Sequence, residues 1–454
     1  MADLIAAVST GHERAAIAIL RLSGDGAAEA AARVFRPRKG SLADAAPGRM
    51  TLGALLDQEG RPIDHCLCVL HRAPRSYTGE DTAELHCHGS PAVLAEGLAA
   101  LYAAGARPAE PGEFTKRAFL NGKLGLTEAE AVMDVIDADN AVALRNAAGQ
   151  LGGALRRRAD GVYDALVDIA AHFHAVIDWP DEDLEPFELT AYGATLARAE
   201  QSLTALLATA ERGRLIKDGV LCAIIGRPNV GKSSLLNALL GYDRAIVTAT
   251  AGTTRDTLEE RAVIGGAVLR LTDTAGLRDT ADTIEKLGVA RAEQAAAEAA
   301  VLIAVFDGAA PLTADDETVL TKLAAADRGV AVLNKSDLPP LADASRLEKT
   351  GRPVVRLSAA TGEGLDRLAA ALETLYPACA APEGEILTNA RQAGEVLRAR
   401  DALRAAREAM EAGFTPDAVL ADVESAMEAL AAMTGRAVRD DTVSRIFSRF
   451  CVGK

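Results

Sequence analysis

The chain has 454 residues, 49% of them apolar, and a formal net charge of −15. That length and apolar content support large buried cores shared among roughly two to four domains. The acidic balance excludes a protein that holds nucleic acid by its overall field, since phosphate neutralisation needs clustered Lys and Arg, so any RNA partner calls for a local basic patch or a second, more basic protein.

Residues 1–3 lack a basic leader, and the apolar run after them is broken at Ser9, Thr10, His12, Glu13 and Arg14. No secretory signal is read there. Six cysteines at irregular spacings give no disulfide framework and point to a reducing cytoplasm. Residues 16–22, 66–70 and 82–86 read as short strands among helices, an α/β domain over residues 1–120. The cluster His65, Cys66, Cys68, His71, His86, Cys87 and His88 lacks the paired spacing of a zinc site and reads as core or pocket packing, with Cys66 and Cys68 on one face of a strand.

From residue 121 to 214 the apolar period is helical, interrupted at Trp179-Pro180-Asp181-Glu182-Asp183. A hydrophobic strand at residues 220–225 then opens an alternating β/α region, residues 215–378. The apolar stretch 299–306 is too short to span a bilayer and reads as a buried strand, so no membrane partner is expected. Helical periodicity returns over residues 379–454. The expected fold class is α/β plus all-α: an N-terminal α/β domain, a helical domain built from two separated segments, and a nucleotide-binding domain inserted between them.

The inserted region carries the clearest chemistry. Gly226-Arg227-Pro228-Asn229-Val230-Gly231-Lys232-Ser233 fits the GxxxxGK[ST] phosphate loop and lies between a predicted strand and a helix that starts at Ser234. Its backbone N–H groups wrap the β-phosphate, Lys232 reaches the β- and γ-phosphates, and the Ser233 hydroxyl is placed for Mg²⁺. Asn334-Lys335-Ser336-Asp337 follows the strand predicted at residues 330–333. A carboxylate there accepts the N1–H and N2–H₂ donors of guanine, which adenine cannot match. Ser358-Ala359-Ala360 can offer a backbone N–H to guanine O6. Together with Asp273-Thr274-Ala275-Gly276, these motifs resemble a translation-factor-type, Ras-like P-loop G domain that binds GTP. Between them, Thr248-Ala249-Thr250-Ala251-Gly252-Thr253-Thr254-Arg255-Asp256 reads as the switch loop, with Thr254 the candidate second Mg²⁺ ligand.

Leu277 occupies the position where Ras-type enzymes carry a water-orienting Gln. GTPases with that substitution and an Asn at the position of Asn229 resemble a group that places K⁺ where an arginine finger would sit. By that resemblance Asn229 and Thr248, Thr250 and Thr253 hold K⁺, and Glu285 is the water-orienting acid.

Flanking motifs narrow the resemblance. Residues 74–81 (PRSYTGED), 84–89 (ELHCHG), Arg107-Pro108, Glu113-Phe114-Thr115, residues 117–123 (RAFLNGK) and the terminal Cys451-Val452-Gly453-Lys454 resemble the MnmE (TrmE) family of tRNA uridine-5-carboxymethylaminomethyl modification GTPases over essentially the whole chain. The resemblance implies a homodimer whose N-terminal domain binds tetrahydrofolate (5-formyl or 5,10-methylene) through Arg21, Glu84, Lys123 and Lys454, and a catalytic thiol at Cys451. It also implies a flavin-dependent partner, MnmG (GidA), and modification at C5 of a tRNA wobble uridine. One departure is visible: Gly11-His12-Glu13-Arg14-Ala15-Ala16 stands where the family commonly has a Gly-rich turn. A ribosome-assembly GTPase or a purely regulatory switch would share the G motifs, but neither accounts for the N-terminal motifs or the terminus.

Near the C-terminus, Val443, Ile446, Phe447, Phe450 and Cys451 fall at helical spacing behind an Asp441 N-cap, which places Cys451 on the buried stripe with Gly453 as the cap.

Overall fold

A computed structural model of the chain describes residues 3–11, 13–178, 189–242, 259–264, 267–272, 299–375, 382–437, 443, 446–448 and 450–453. The chain divides into two compact units. The first is Met1–Met133, Gln150–Ala197 and Asp401–Lys454, and the second is Asp134–Gly149 with Arg198–Arg400.

The first unit is built on a seven-stranded sheet of β1 (Ile5–Val8), β2 (Ala15–Ser23), β3 (Phe35–Pro37), β4 (Thr51–Leu56), β5 (Pro62–His71), β6 (Thr82–Gly89) and β7 (Arg107–Pro108), in the order β3-β4-β5-β6-β2-β1-β7. Among the described residues only β1 and β7 pair in parallel in this sheet. Alternation sets the two faces. Ala18, Leu20 and Leu22 of β2 point into a core with Leu55, Cys66, Cys68, Leu85 and Cys87, beneath α1 (Ala27–Val34) and α2 (Pro91–Ala103). Each Leu buried there is worth about 1.5–3 kcal/mol. The intervening residues face away, and Ile17 and Leu52 remain 62% and 48% exposed.

Helices α3 (Glu113–Leu120), α4 (Leu126–Ile136), α5 (Ala141–Leu151), α6 (Ala154–Asp178), α7 (Leu189–Leu207) and α8 (Ala210–Asp218) follow. The motif residues around α3 form a charge network. Arg107 grips the Glu113 carboxylate with both terminal nitrogens at 2.9 and 2.6 Å, and Arg117 reaches Glu113, Glu80 and Asp3 at 2.9, 3.0 and 2.6 Å. Burial disfavours the ionised Glu113, but hydrogen bonds from Arg107, the Glu110 amide and Arg117 outweigh it and hold the carboxyl below its ordinary range.

The second unit carries a six-stranded sheet: β8 (Val220–Ile225), β9 (Glu259–Ile264), β10 (Ala267–Thr272), β11 (Val301–Asp307), β12 (Gly329–Asn334) and β13 (Val354–Arg356), ordered β13-β12-β11-β8-β10-β9. Among the described residues its only antiparallel pair is β9 with β10. Strands β11 and β12 are near-continuous apolar runs because both faces are covered. On one side lie α9 (Lys232–Tyr242) and, further on, α12 (Leu365–Thr374); on the other lie α10 (Ala314–Ala325) and α11 (Ala344–Glu348). Among the described residues the remaining helices are α13 (Ala390–Glu411) and α14 (Pro416–Thr434). Helices α6 and α14 pack in the first unit, tied by His174 with Glu424 at 3.0 Å and by Arg436, which pairs with Asp160 at 2.9 Å and lies 4.6 Å over the Tyr163 ring. Among the described residues, no helix is long and apolar enough to cross a membrane.

One expectation is corrected. Val443, Phe447 and Phe450 are buried against Ala129, but Cys451 is exposed. The helical period stops at Phe450, whose N–H donates to the Phe447 carbonyl. The chain then extends: the Cys451 carbonyl accepts from the Gly112 N–H at 3.2 Å, and Val452 bridges Pro111. Once the backbone leaves the helix, position i+8 no longer shares the stripe.

Candidate functional site

The carboxyl ends of β8, β11, β12 and β13 bring the predicted nucleotide motifs together, as open parallel sheets do. The loop after β8 is shaped by backbone constraints. Asn229 adopts φ 63°, a left-handed conformation that Asn tolerates better than most residues. Gly231 has φ 98°, and a Cβ there would overlap the Asn334 side chain. Val230 is fully buried and anchors the loop, while Asn229, Ser233 and Ser234 stay exposed on its open side. The Lys232 ammonium lies over the loop, donating to the Gly226 and Arg227 carbonyls at 2.8 and 2.9 Å.

Asn334 locks this loop to the loop that follows β13. Its Nδ2 donates to the Val230 carbonyl at 2.8 Å and its Oδ1 accepts from the Ala359 N–H at 2.9 Å. The residue is 3% exposed. Lys335, at φ 65°, pairs with Asp307 at 2.7 Å. Burial opposes the ionised Asp307, but the Lys335 hydrogen bond, the Ala309 amide and the charges of Lys335 and Arg227 lower its pKa. Asp337 is exposed beside them. The Ser358 and Ala359 N–H groups are committed to Glu363 and Asn334, so within Ser358-Ala359-Ala360 the donor left for a ligand is that of Ala360.

Sequence reasoning missed Arg227, whose Nε meets the buried Asp316 at 3.2 Å. Asp316 also accepts from the Thr313 N–H and hydroxyl at the start of α10. A local capping-box pattern at Thr313 and Asp316 was the only available signal. Thr248, Ala249, Thr250, Ala251, Gly252, Thr253, Thr254, Asp273, Thr274, Ala275, Gly276, Glu285 and Lys454 lie outside the described residues.

A second cleft, of about 330 Å³, lies in the first unit and is lined by Arg21, Glu84, His71, Arg75, Tyr77 and Thr78 among others. Adjacent strands β2 and β6 put Arg21 and Glu84 directly opposite each other, and they pair at 2.9 Å. The Arg21 guanidinium sits 5.6 Å from the Tyr77 ring centre and 5.7 Å from that of Phe114. Burial opposes ionisation of Glu84, but Arg21 and then His86 prevail and lower its pKa. Burial raises that of Tyr77, whose hydroxyl shares a 2.8 Å hydrogen bond with Thr115. Lys123 donates to the Pro74 carbonyl at 3.0 Å, beside the same 74–81 loop. The cysteines near this sheet are core residues: burial first of all pushes the thiols of Cys66 and Cys68 up to about 12 and that of Cys87 to about 11.

The chain's relatives share both regions. The family model described as "GTP-binding protein TrmE N-terminus" matches residues 4–123, and "MnmE helical domain" matches residues 126–451. A "tRNA modification GTPase MnmE" of Symbiobacterium thermophilum is 42% identical over 455 residues, covering 100% of this chain and 99% of that one. The proteins of that name from a Roseiflexus species and from Thermus thermophilus are each 43% identical, over 465 and 458 residues, again covering 100% of this chain and 99% of theirs. With end-to-end identity of that order and family models over residues 4–123 and 126–451, the chain belongs to the MnmE family of tRNA modification GTPases.

Proposed function

We propose that the chain is a K⁺-stimulated GTPase that works as a homodimer with the flavin-dependent partner MnmG (GidA) to modify C5 of a tRNA wobble uridine, using a one-carbon unit from tetrahydrofolate. The observation that carries this reading is the polar cleft around Arg21 and Glu84, which a stand-alone GTPase does not need. Its donor set fits a folate. The ionised Glu84 carboxylate, held by Arg21, suits the amino-pyrimidine edge of a pterin, Tyr77 offers a ring face, and Arg75, Lys123 and Lys454 suit the tail carboxylates. A bound folate would supply the one-carbon unit, and these residues would hold and orient it. Cys451, exposed beside Val452 and Gly453, is the thiol proposed to act there.

On the nucleotide side, Lys232 and the loop amides bind the phosphates, Asp337 and the Ala360 N–H read guanine, and Ser233 with Thr254 are the Mg²⁺ ligands. Asn229 with Thr248, Thr250 and Thr253 would hold K⁺, which neutralises charge that develops between the phosphates. The exposed Asn229 and Ser233, on the open side of the loop, fit that assignment. Glu285 orients the attacking water. Residues 1–120 form the folate-binding and dimerisation domain, 215–378 the G domain, and 121–214 with 379–454 the helical domain. Exposed Ile17 and Leu52, on the sheet face away from α1 and α2, favour a second copy as their cover. A net charge of −15 assigns most tRNA phosphate contacts to the partner, and the setting is cytoplasmic.

Calorimetric titration with 5-formyl-tetrahydrofolate, beside GTP turnover in K⁺ and in Na⁺, tests the reading. Folate binding that weakens without Lys454 and turnover favoured by K⁺ are expected. A folded, GTP-competent protein that binds no folate sinks the reading and leaves a ribosome-assembly or regulatory GTPase.

A further inference from the structure

Within the second unit, the two chain crossings of the nucleotide-binding sheet meet at Asp134, far along the chain from the phosphate loop, and Asn146 and Thr209 hold the outbound one. The inbound crossing is α8, which runs through Gly219 straight into β8. It is fastened to the sheet body: Leu215 packs against the core and Glu211 pairs with Arg328 at 3.1 Å. The outbound crossing is the segment 384–388. Asn146 Oδ1 accepts from the N–H groups of Gly384 and Ile386 at 3.0 and 3.3 Å, and its Nδ2 donates to the Ile386 carbonyl at 3.2 Å. Thr209 Oγ1 accepts from the Leu387 N–H at 3.0 Å.

Two glycines allow the approach. A Cβ at Gly149 would press on the Gly384 backbone and one at Gly213 would overlap the Leu387 carbonyl. Gly213 lies inside α8, where glycine costs about 1 kcal/mol relative to alanine, and close packing against the outbound crossing accounts for it. One carboxylate then joins the two crossings. Asp134 receives the Lys217 ammonium of α8 at 2.7 Å on one oxygen and the Thr388 hydroxyl at 2.9 Å on the other. Asn146 and Thr209 are 1% and 2% exposed, and buried polar groups so fully satisfied hold a single arrangement.

We propose that Asp134, with Asn146 and Thr209, forms a joint that clamps both crossings to residues 134–149, making Asp134 a positioning residue for tRNA modification and not for GTP hydrolysis. A sheet body held at only one crossing could swivel about it. Held at both, it cannot change orientation without moving the helical residues that hold it, so nucleotide-dependent motion is passed on. The inference rests on the reading above, in which hydrolysis drives modification.

The test compares wild type, Asp134→Ala and the swap Asp134→Lys with Lys217→Asp, each full-length with its flavin-dependent partner and tRNA. GTP turnover, modified nucleoside formed per GTP, and amide exchange over residues 383–388 are measured. For Asp134→Ala, turnover within about twofold of wild type, a yield per GTP lower by about tenfold and faster exchange at residues 384–387 are expected, on the scale of ordinary coupling energies. The swap, which lets a lysine at 134 meet an aspartate at 217 and the Thr388 hydroxyl, is expected to recover yield. A purely structural role would not separate yield from turnover. Unchanged yield despite faster exchange overturns the proposal, as does unchanged exchange, or a loss of turnover equal to the loss of yield. Should Asp134→Ala fail to fold, Thr388→Val loosens the outbound crossing alone, and the same outcomes decide. If wild type modifies no tRNA, the functional reading falls and takes the positioning role with it, a failure visible before any variant is made.

Discussion

Replacing Asn334 by alanine should weaken guanine-nucleotide binding, although that side chain is spent on the protein itself. It removes one donor from the Val230 carbonyl and one acceptor from the Ala359 N–H. Ala359 is half-buried and water can satisfy its amide, whereas Val230 is fully buried and its carbonyl stays poorly solvated. A buried group left unpaired costs about 1–3 kcal/mol. With the second bond at the low end of that scale, the loss is about 2–4 kcal/mol, or roughly 30- to 1000-fold in affinity if all of it falls on the bound state. Fluorescence titration with a labelled GDP, paired with a urea midpoint for each variant, separates binding from unfolding. Asn334→Asp sharpens the test: it keeps an acceptor for Ala359 but turns a carboxylate oxygen on the Val230 carbonyl, so it should bind no better than the alanine variant. A folded Asn334→Ala protein that binds GDP like wild type would refute the idea that this side chain preorganises both loops.

Gly231→Ala is expected to abolish GDP binding in the same titration, since it combines a positive φ, costing about 1–3 kcal/mol for other residues, with overlap of the Asn334 side chain. Acid stability should report the charge network. Glu113 and Glu84 titrate below their ordinary value of 4.5, so the folded state binds fewer protons there than the unfolded state. Their stabilisation is complete above that value and is lost as pH falls through the lowered folded values. Glu113→Gln should therefore lower stability at neutral pH by about 3–5 kcal/mol for breaking a buried pair, read as a lower urea midpoint, and flatten the acid limb of midpoint against pH. With native protein, a thiol reagent followed by peptide mapping should modify Cys451 ahead of Cys66, Cys68, Cys87 and Cys222, which stay protected; equal labelling of the buried four would contradict their packing.

The nucleotide motifs were legible because their chemistry is local. A phosphate loop needs its glycines and lysine within eight consecutive residues, and the strand expected at residues 220–225 is the one found. The strands expected at 330–333 and 299–306 likewise lie within or across β12 and β11, because long apolar runs bounded by charged or turn residues have few other uses in a chain of this polarity. The cleft around Arg21 and Glu84 was only half legible. Arg21 and Glu84 were named by resemblance, but that they pair with each other, with Tyr77 alongside, depends on the register of β2 with β6.

By itself the sequence determined the G motifs, the strand runs, the helical segments and the family. The tertiary structure decided which distant groups meet. Cys451 left the stripe that its spacing assigned because the backbone turned out of the helix at Phe450 to bridge Pro111. Asn334 joins Val230 to Ala359 across 104 and 25 residues, and Asp134 meets Thr388 across 254. Periodicity reports only which side of an element faces the core. A hydrogen bond between residues that far apart depends on where two elements finally pack, and no local pattern encodes that.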